Sequence, residues 1–344
     1  MTAHLNGPRN VLDHPKVGPL LRVKDLNINF YTKSGLLRGI EKVSFDLHKG
    51  QVLGLVGESG SGKSVTALSL LRLIPGDVAE LSRGQILFDG TDLTQLTERQ
   101  MRRIRGRDIG MIFQDPMTSL NPLLSIGAQV AEPLRFHLGM SRKAAMNRAG
   151  ELLDLVGIRD PIRRLSQYPH ELSGGMRQRA LIATAIACEP RLLIADEPTT
   201  ALDVTTQAQI LDLLQKLRED LGVAIILITH DLGVVAEFAD EVQVMYAGGA
   251  VERAPVDLIF RQPAHPYTDG LLQSIPRFEA DSERLTSIEG TVPSPSAMPP
   301  GCPFSPRCYR AQKDCSQIVP VLTEIAPHRR VACIHPLTEK RALS

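Results

Sequence analysis

The run Gly57-Glu58-Ser59-Gly60-Ser61-Gly62-Lys63-Ser64 constrains this chain more than any other feature, because it fits G-x-x-x-x-G-K-[ST] without a mismatch. Val52, Leu53, Leu55 and Val56 precede it as an apolar run, as expected of a buried central strand in a parallel sheet. Ser64 to Leu73 follows with helical apolar spacing. Strand, glycine loop and helix together open a nucleotide-binding α/β domain. The glycines let backbone N–H groups turn inward around phosphates, where a Cβ would block the approach. On this pattern Gly57, Ser59, Gly60, Ser61 and Gly62 form the cradle. Lys63 sets a point charge against the β- and γ-phosphates, and the Ser64 hydroxyl ligates Mg²⁺. The alternative, a glycine/serine loop with a chance lysine, fits poorly with the strand and helix that flank it.

A second apolar run, Leu192-Leu193-Ile194-Ala195, ends in Asp196-Glu197. A carboxylate at a strand's C-terminal edge can hold Mg²⁺, directly or through water, which is the role expected of Asp196. Glu197 is then placed to orient and polarise the attacking water. Phosphoryl transfer passes through a loose transition state, so positioning counts for more than proton abstraction. In isolation such a run is also what a strand ending in a solvated acidic turn looks like; the phosphate loop gives it weight.

The bulk properties exclude more than they assign. A formal net charge of +1 over 344 residues offers no electrostatic reason for nucleic acid or an anionic membrane surface as the main partner. With 4% aromatics and no Trp, stacking platforms for single strands are not expected either. No segment approaches the roughly 20 apolar residues of a membrane-spanning helix, and Met1 to Leu20 lacks the apolar block of a secretory signal. The expectation is a loose tail over 1–19 and a cytosolic chain that meets a membrane through partners.

Short strands are expected over 84–113, clearest at Ile109 to Phe113, and an amphipathic all-helical stretch from Ser125 to Leu165. Further on come a helix from Ser173 to Ala187, the Leu192 to Ala195 strand, a helix from Thr205 to Asp220 and a strand from Ala224 to Thr229. Pro263, Pro266, Pro276, Pro293, Pro295, Pro299 and Pro300 mark a shift into an irregular tail.

Leu172-Ser173-Gly174-Gly175-Met176 resembles the LSGGQ signature of ABC ATPases, with Met in the final place. Gln114, Ala201-Leu202-Asp203 and His230 stand around it in the order that family uses. Taken singly, these are uninformative: a lone histidine, a glutamine, a Ser-Gly-Gly helix cap. Their fixed order with the phosphate loop makes residues 20–262 resemble an ABC-type P-loop ATPase domain, with a helical subdomain over about 115–180. The resemblance implies that Gln114 contacts Mg²⁺ and the attacking water, that His230 contacts the γ-phosphate, and that Asp203 lies on a loop crossing a dimer interface. It also implies that Ser173 and Gly175 reach the nucleotide bound to the opposite subunit, because ABC ATPases close head to tail around two ATP molecules. An aromatic ahead of the phosphate loop stacks on adenine in this family; Phe30 is the choice here and Tyr31 the fallback. Met176 removes an amide but leaves the serine and both glycines, so a working signature is expected.

The tail narrows the resemblance. Gln262-Pro263-Ala264-His265-Pro266-Tyr267-Thr268 is similar to the His-Pro-Tyr segment that opens the extension of oligopeptide and dipeptide importer ATPases. Met245-Tyr246-Ala247-Gly248 and the run from Gln114 to Pro122 resemble that group too. A prolyl turn packing its tyrosine on the domain accounts for the segment physically, and no chemistry is assigned to His265. The implied partners are a second, F-type ATPase with this chain as the D-type subunit, two membrane permease subunits and an extracytoplasmic peptide-binding protein. The implied location is the cytoplasmic face of the bacterial inner membrane.

Within the extension, 263–344, Cys302, Cys308, Cys315 and Cys333 are spaced C-x₅-C-x₆-C-x₁₇-C, without the close pairs usual in structural zinc sites. Four thiolates on Pro-rich loops can wrap a [4Fe–4S] cluster, and the resemblance implies one; zinc and an unmetallated site stay open. A small loop-rich appendage gains most from a metal that staples it. Cys188, at the end of an apolar helix, reads as a core thiol. Two rival functions are weighed. A soluble ABC ATPase acting on nucleic acid or ribosomes fits poorly with the charge balance and the single phosphate loop. An importer of another solute, such as nickel, glutathione or an opine, differs in its binding protein and not in its motor.

Overall fold

The protein is described from a computed structural model over residues 18–33, 35–200, 202–274 and 288–337. The tail expected over 1–19 lies almost wholly outside these residues, as do Ala201 and Pro276; Leu20 is already packed in the core.

Among the described residues two sheets form. The smaller is antiparallel, in the order β2 (Gly35–Leu47), β1 (Leu21–Thr32), β4 (Ala79–Phe88) and β5 (Thr91–Asp92). The larger runs β11 (Thr323–Ala326), β12 (Arg329–Val331), β10 (Gly249–Pro255), β9 (Glu241–Tyr246), β3 (Val52–Val56), β8 (Ala224–Ile228), β7 (Leu192–Asp196) and β6 (Ile109–Ile112). Strands β9, β3, β8, β7 and β6 are parallel. Strands β3, β6, β7 and β8 are buried at every position, which is why they read as continuous apolar runs rather than alternating ones.

Their side chains divide between two cores. Leu53, Leu55, Leu192, Ile194, Ile226 and Ile228 face the small sheet and α1 (Lys63–Leu70). Val52, Val56, Leu193, Ala195, Ile225 and Leu227 face a helical layer. That layer draws buried residues from α4 (Ile126–Leu138), α5 (Arg142–Leu155), α7 (Gly174–Ile186), α8 (Val204–Leu221) and α9 (Leu232–Phe238). Short helices α3 (Pro116–Ser119) and α6 (Pro161–Arg164) sit at the edges of the helical stretch. Helices α4, α5 and α7 each start on a serine cap, Ser125, Ser141 and Ser173 in turn.

Three expectations need correction. The 84–113 stretch is not strands alone: α2 (Glu98–Ile104) interrupts it, started by a capping box between Thr97 and Gln100. The extension is irregular over much of its length, yet β11 and β12 form a hairpin that pairs with β10 and covers an otherwise open sheet edge. Cys188 is half-buried in the turn after α7 rather than set in the core, and burial pushes its thiol up to about 11. Before the hairpin, α10 (Val256–Arg261) leads to α11 (Pro266–Gln273), whose N-cap is His265.

Candidate functional site

Parallel strands end in loops at one edge of a sheet, and ligands bind there. Here β3 runs into Gly57, β8 into His230, β7 into Glu197 and β6 into Gln114. The register pairs Leu55 with Ile228, Ile228 with Asp196 and Ala195 with Ile112, so these residues emerge side by side at the same edge.

The glycine loop has the backbone its composition foretells. Gly57, Gly60 and Gly62 all have positive φ, at 149°, 77° and 100°. A Cβ on Gly57 would stand 2.2 Å from the Met245 carbonyl oxygen, so only glycine fits there. Gly62 turns the chain into α1 as its left-handed N-cap. Lys63 is 6% exposed, and its Nζ donates to the carbonyls of Gly57 at 2.8 Å and Glu58 at 3.0 Å. Burial lowers its affinity for the proton, while Glu197, Asp196 and Glu58 oppose that shift.

The Ser64 hydroxyl donates to Asp196 Oδ1 at 3.0 Å, so the two expected Mg²⁺ ligands are already adjacent. Asp196 is 5% exposed, and burial raises its pKa against the Ser64 hydrogen bond. Beside it, Glu197 Oε2 accepts from Gln114 Nε2 at 3.0 Å and from the Thr200 hydroxyl at 2.8 Å, and lies 3.5 Å from His230 Nδ1. Glu197 itself has φ +48°, and its N–H donates to the Ile228 carbonyl. Three residues drawn from Gln114 to His230 in sequence therefore converge on one carboxylate oxygen, Glu197 Oε2.

Sequence reasoning missed Thr200 and Asp231. Thr200 lies three residues beyond Glu197 in a turn whose N–H returns to the Glu197 carbonyl, and that spacing was the available signal. Asp231 caps α9 through Gly233 and Val234 and accepts from Gln207 of α8, which fixes the loop carrying His230.

Ser173, Gly175 and Asp203 form a separate group, with Ser173 and Asp203 exposed and Gly175 half-buried. Ser173 caps α7 through Met176 N, and Asp203 caps α8 through Thr206 at 2.9 Å. A Cβ on Gly175 would meet Thr206 Cγ2 at 3.0 Å, which joins the two caps. None of their hydrogen bonds among the described residues reaches the phosphate loop. Met176 packs on the helical core, which accounts for an apolar residue at this position. Phe30 lies over Gly39, whose carbonyl borders Gly62 and Gly248 behind the phosphate loop. Tyr31 is turned outward, with its hydroxyl donating to Glu80 at 2.8 Å.

In the extension, Cys302, Cys308, Cys315 and Cys333 line one small cavity with His265, Phe304 and His335. Backbone N–H groups face the sulfurs: Phe304 and Ser305 toward Cys302, Arg310 toward Cys308, His335 toward Cys333, and Gln312 toward Cys315 at 3.4 Å. Burial raises the thiols of Cys302 and Cys308 and pushes Cys333 up to about 11. His265 is 1% exposed; its Nδ1 accepts from Tyr267 N at 3.0 Å, and burial pushes its pKa down to about 3.

Residues 40–200 match the family model described as ABC transporter, and residues 251–315 match the oligopeptide/dipeptide transporter C-terminal region. A Brucella abortus (strain 2308) protein named as a peptide import ATP-binding protein is 53% identical over 308 residues, covering 90% of this chain and 92% of its own. A Sinorhizobium fredii protein named as a peptide ABC transporter ATP-binding protein is 53% identical over 321 residues, 93% and 96% of the two chains. Among solved structures, a dimeric ATP-binding cassette in a post-hydrolysis state with ADP and phosphate superposes with TM-score 0.62 at 28% identity, over 69% of this chain and 98% of that one. The Clostridium perfringens cbiO1 subunit, part of an ABC transporter complex, gives TM-score 0.59 at 27% identity, over 71% and 91%. The phosphate loop, the acidic strand end, the signature and the extension thus agree with both models and both sets of relatives: this chain belongs to the ABC transporter ATP-binding proteins, in the branch that carries the oligopeptide/dipeptide C-terminal region.

Proposed function

We propose that this chain hydrolyses Mg·ATP to drive import of dipeptides or oligopeptides through an ABC transporter. The observation that carries the catalytic part is the convergence of Gln114, Thr200 and His230 on Glu197, beside Ser64 and Asp196 at the mouth of the phosphate loop. The peptide cargo rests on the C-terminal region and on the relatives' names.

The residues divide the work. The glycine loop and Lys63 bind the β- and γ-phosphates. Ser64, Asp196 and Gln114 would hold Mg²⁺, which supplies neutralising charge to the phosphate oxygens. Glu197 orients the attacking water, its carboxylate steered by Gln114 and Thr200, and His230 approaches the γ-phosphate from the neighbouring strand end. Phe30 is the adenine platform. Ser173, Gly175 and Asp203 serve the site of the opposite subunit, which the exposure of Ser173 and Asp203 and hydrogen bonds that stay away from their own phosphate loop support.

The ATPase domain spans 20–262 and the extension 263–344. The partners are an F-type ATPase, two permease subunits and an extracytoplasmic peptide-binding protein, with this chain on the cytoplasmic face of the inner membrane. Among the described residues no helix is long and apolar enough to cross a membrane, so the permeases supply the passage. Met117, Leu123 and Phe136 are 61%, 82% and 68% exposed, and Met117 and Leu123 follow Gln114 closely. An apolar surface beside the residue that touches Glu197 supports permease docking there.

The cysteine cavity suits a [4Fe–4S] cluster, with zinc as the second reading. Four sulfurs line it and each is met by a backbone N–H, an arrangement that favours thiolates. Tetrahedral zinc at about 2.3 Å from each sulfur needs thiolates about 3.8 Å apart. Among the described residues the trio of ligand atoms lying within 4.8 Å of one another is Asp314, Cys315 and His335, and it holds only one of the four cysteines. The cavity shared by all four cysteines carries the cluster reading, and the Asp314–His335 pair beside Cys315 is what favours zinc. Iron, sulfide and zinc analysis of anaerobically purified protein tests this: iron and sulfide in equal amounts support the cluster, and stoichiometric zinc contradicts it. For transport, proteoliposomes holding the assembled complex should take up a labelled dipeptide only with ATP inside the compartment that exposes this subunit. ATP-driven uptake of another solute with no peptide uptake would overturn the cargo assignment.

A further inference from the structure

The phosphate loop is gripped from outside by the extension. Glu58, the first variable residue of the loop, donates its N–H to the Tyr267 phenol oxygen at 2.9 Å. Its carboxylate accepts from both Arg307 terminal nitrogens, at 2.7 and 3.0 Å. These partners lie 209 and 249 residues further along the chain. The Arg307 side chain is only 5% exposed, and its other donors are also engaged. Nε meets the Glu289 carbonyl at 3.0 Å, Nη2 the Ile288 carbonyl at 3.2 Å and Nη1 the Tyr246 hydroxyl at 3.4 Å. Tyr267 is fully buried in a ring cluster with Tyr246 and Phe304, with centroids 4.6 to 5.3 Å apart. Arg307 and Phe304 both stand on the short segment between Cys302 and Cys308.

What Glu58 does inside the loop gives this grip a consequence. Its carbonyl, with that of Gly57, accepts from Lys63 Nζ, so the peptide units that seat the lysine are those the extension fixes. A phosphate cradle works by presenting N–H groups already aimed; a loop that must be ordered during binding loses affinity by the cost of that ordering. We propose that Arg307 and Tyr267 are positioning residues of the nucleotide site, through which the extension preorganises the phosphate loop and sets the affinity for Mg·ATP. Neither residue touches the nucleotide. The proposal does not depend on which metal the cysteines hold.

The test uses the assembled transporter, with equilibrium binding of Mg·ATP and steady-state ATPase measured side by side. Arg307→Gln is expected to raise Kd and KM by about tenfold, with kcat at saturating ATP unchanged and partial recovery in Arg307→Lys. Tyr267→Phe should shift Kd in the same direction by less. Glu58→Gln should act like Arg307→Gln, and the double variant should be no worse than either single one, because both remove one interaction. A merely structural salt bridge would lower the melting temperature or loosen the extension to protease while leaving Kd alone. An unchanged Kd in Arg307→Gln, or strictly additive effects of the two changes, overturns the proposal. Should Arg307→Gln fail to fold, Glu58→Gln and Tyr267→Phe decide: wild-type Kd in both overturns it, and raised Kd in both supports it.

Discussion

Glu197 is held in a conformation that a glutamate does not choose. Its φ of +48° costs about 1–3 kcal/mol for a non-glycine residue, and the bonds to Ile228, Gln114 and Thr200 keep it there. On the proposed mechanism strain of this kind is spent on aim, the carboxylate being turned toward the water that attacks the γ-phosphate. Glu197→Gln keeps the shape and loses the charge, so Mg·ATP binding should persist while turnover falls about 10²- to 10⁴-fold. Single-turnover hydrolysis beside equilibrium binding reads both. Gly57→Ala should act earlier: a Cβ 2.2 Å from the Met245 oxygen displaces the loop, and Mg·ATP binding is expected to be lost. At this scale Lys63, Ser64 and Asp196 stand out in the sequence by residue chemistry alone, and the fold brings them together at one strand edge. Thr200 and Asp231 escaped because their function is to hold other side chains, and a threonine or aspartate after a strand has many ordinary uses.

At the scale of elements, the buried parallel strands were legible because burial on both faces writes an unbroken apolar run. Helix α2 escaped, although Thr97 and Gln100 spell a capping box, because its short, charged sequence carries one buried residue, Met101. The β11–β12 hairpin had no signal to find: β11 is exposed along its length, and its place is set by β10, far earlier in the chain. What docks the extension is legible only in three dimensions. Glu252, fully buried, accepts from the N–H groups of Ala264 and His265, and His265 caps α11. A free histidine titrates near pH ~6.5, whereas burial holds His265 at about 3. Between those values the unfolded chain binds a proton that the folded chain does not. The stability held by His265 is therefore complete above pH ~6.5 and is lost progressively as the pH falls toward the folded value. His265→Asn keeps a capping acceptor without the titration, so its melting temperature should fall less than that of the parent between pH 6.5 and 5. On the proposal that the cysteine cavity holds metal, its removal is expected to expose the extension to protease before the ATPase domain, which limited proteolysis with mass mapping would show.

For the whole molecule, the signature residues Ser173 and Gly175 stand apart from the phosphate loop in their contacts, meeting Met176 and Thr206 instead. Ser173 is exposed, Gly175 is half-buried and Asp203 caps α8, and none of their hydrogen bonds among the described residues reaches the phosphate loop. On the proposed function, a single chain presents half of each of two sites, and closure on a second cassette completes both. Ser173→Arg should leave Mg·ATP binding by the isolated chain unchanged and abolish hydrolysis in the complex at the site across the interface. On the proposed function the motor contacts nucleotide and permease, and the cargo is read by the other chains of the transporter. The most direct measurement is peptide-stimulated Mg·ATP turnover by the reconstituted transporter carrying either the parent chain or Lys63→Ala. Turnover and uptake that both vanish with Lys63 are the predicted result; ATP hydrolysis or peptide uptake that continues undiminished without Lys63 would contradict the account.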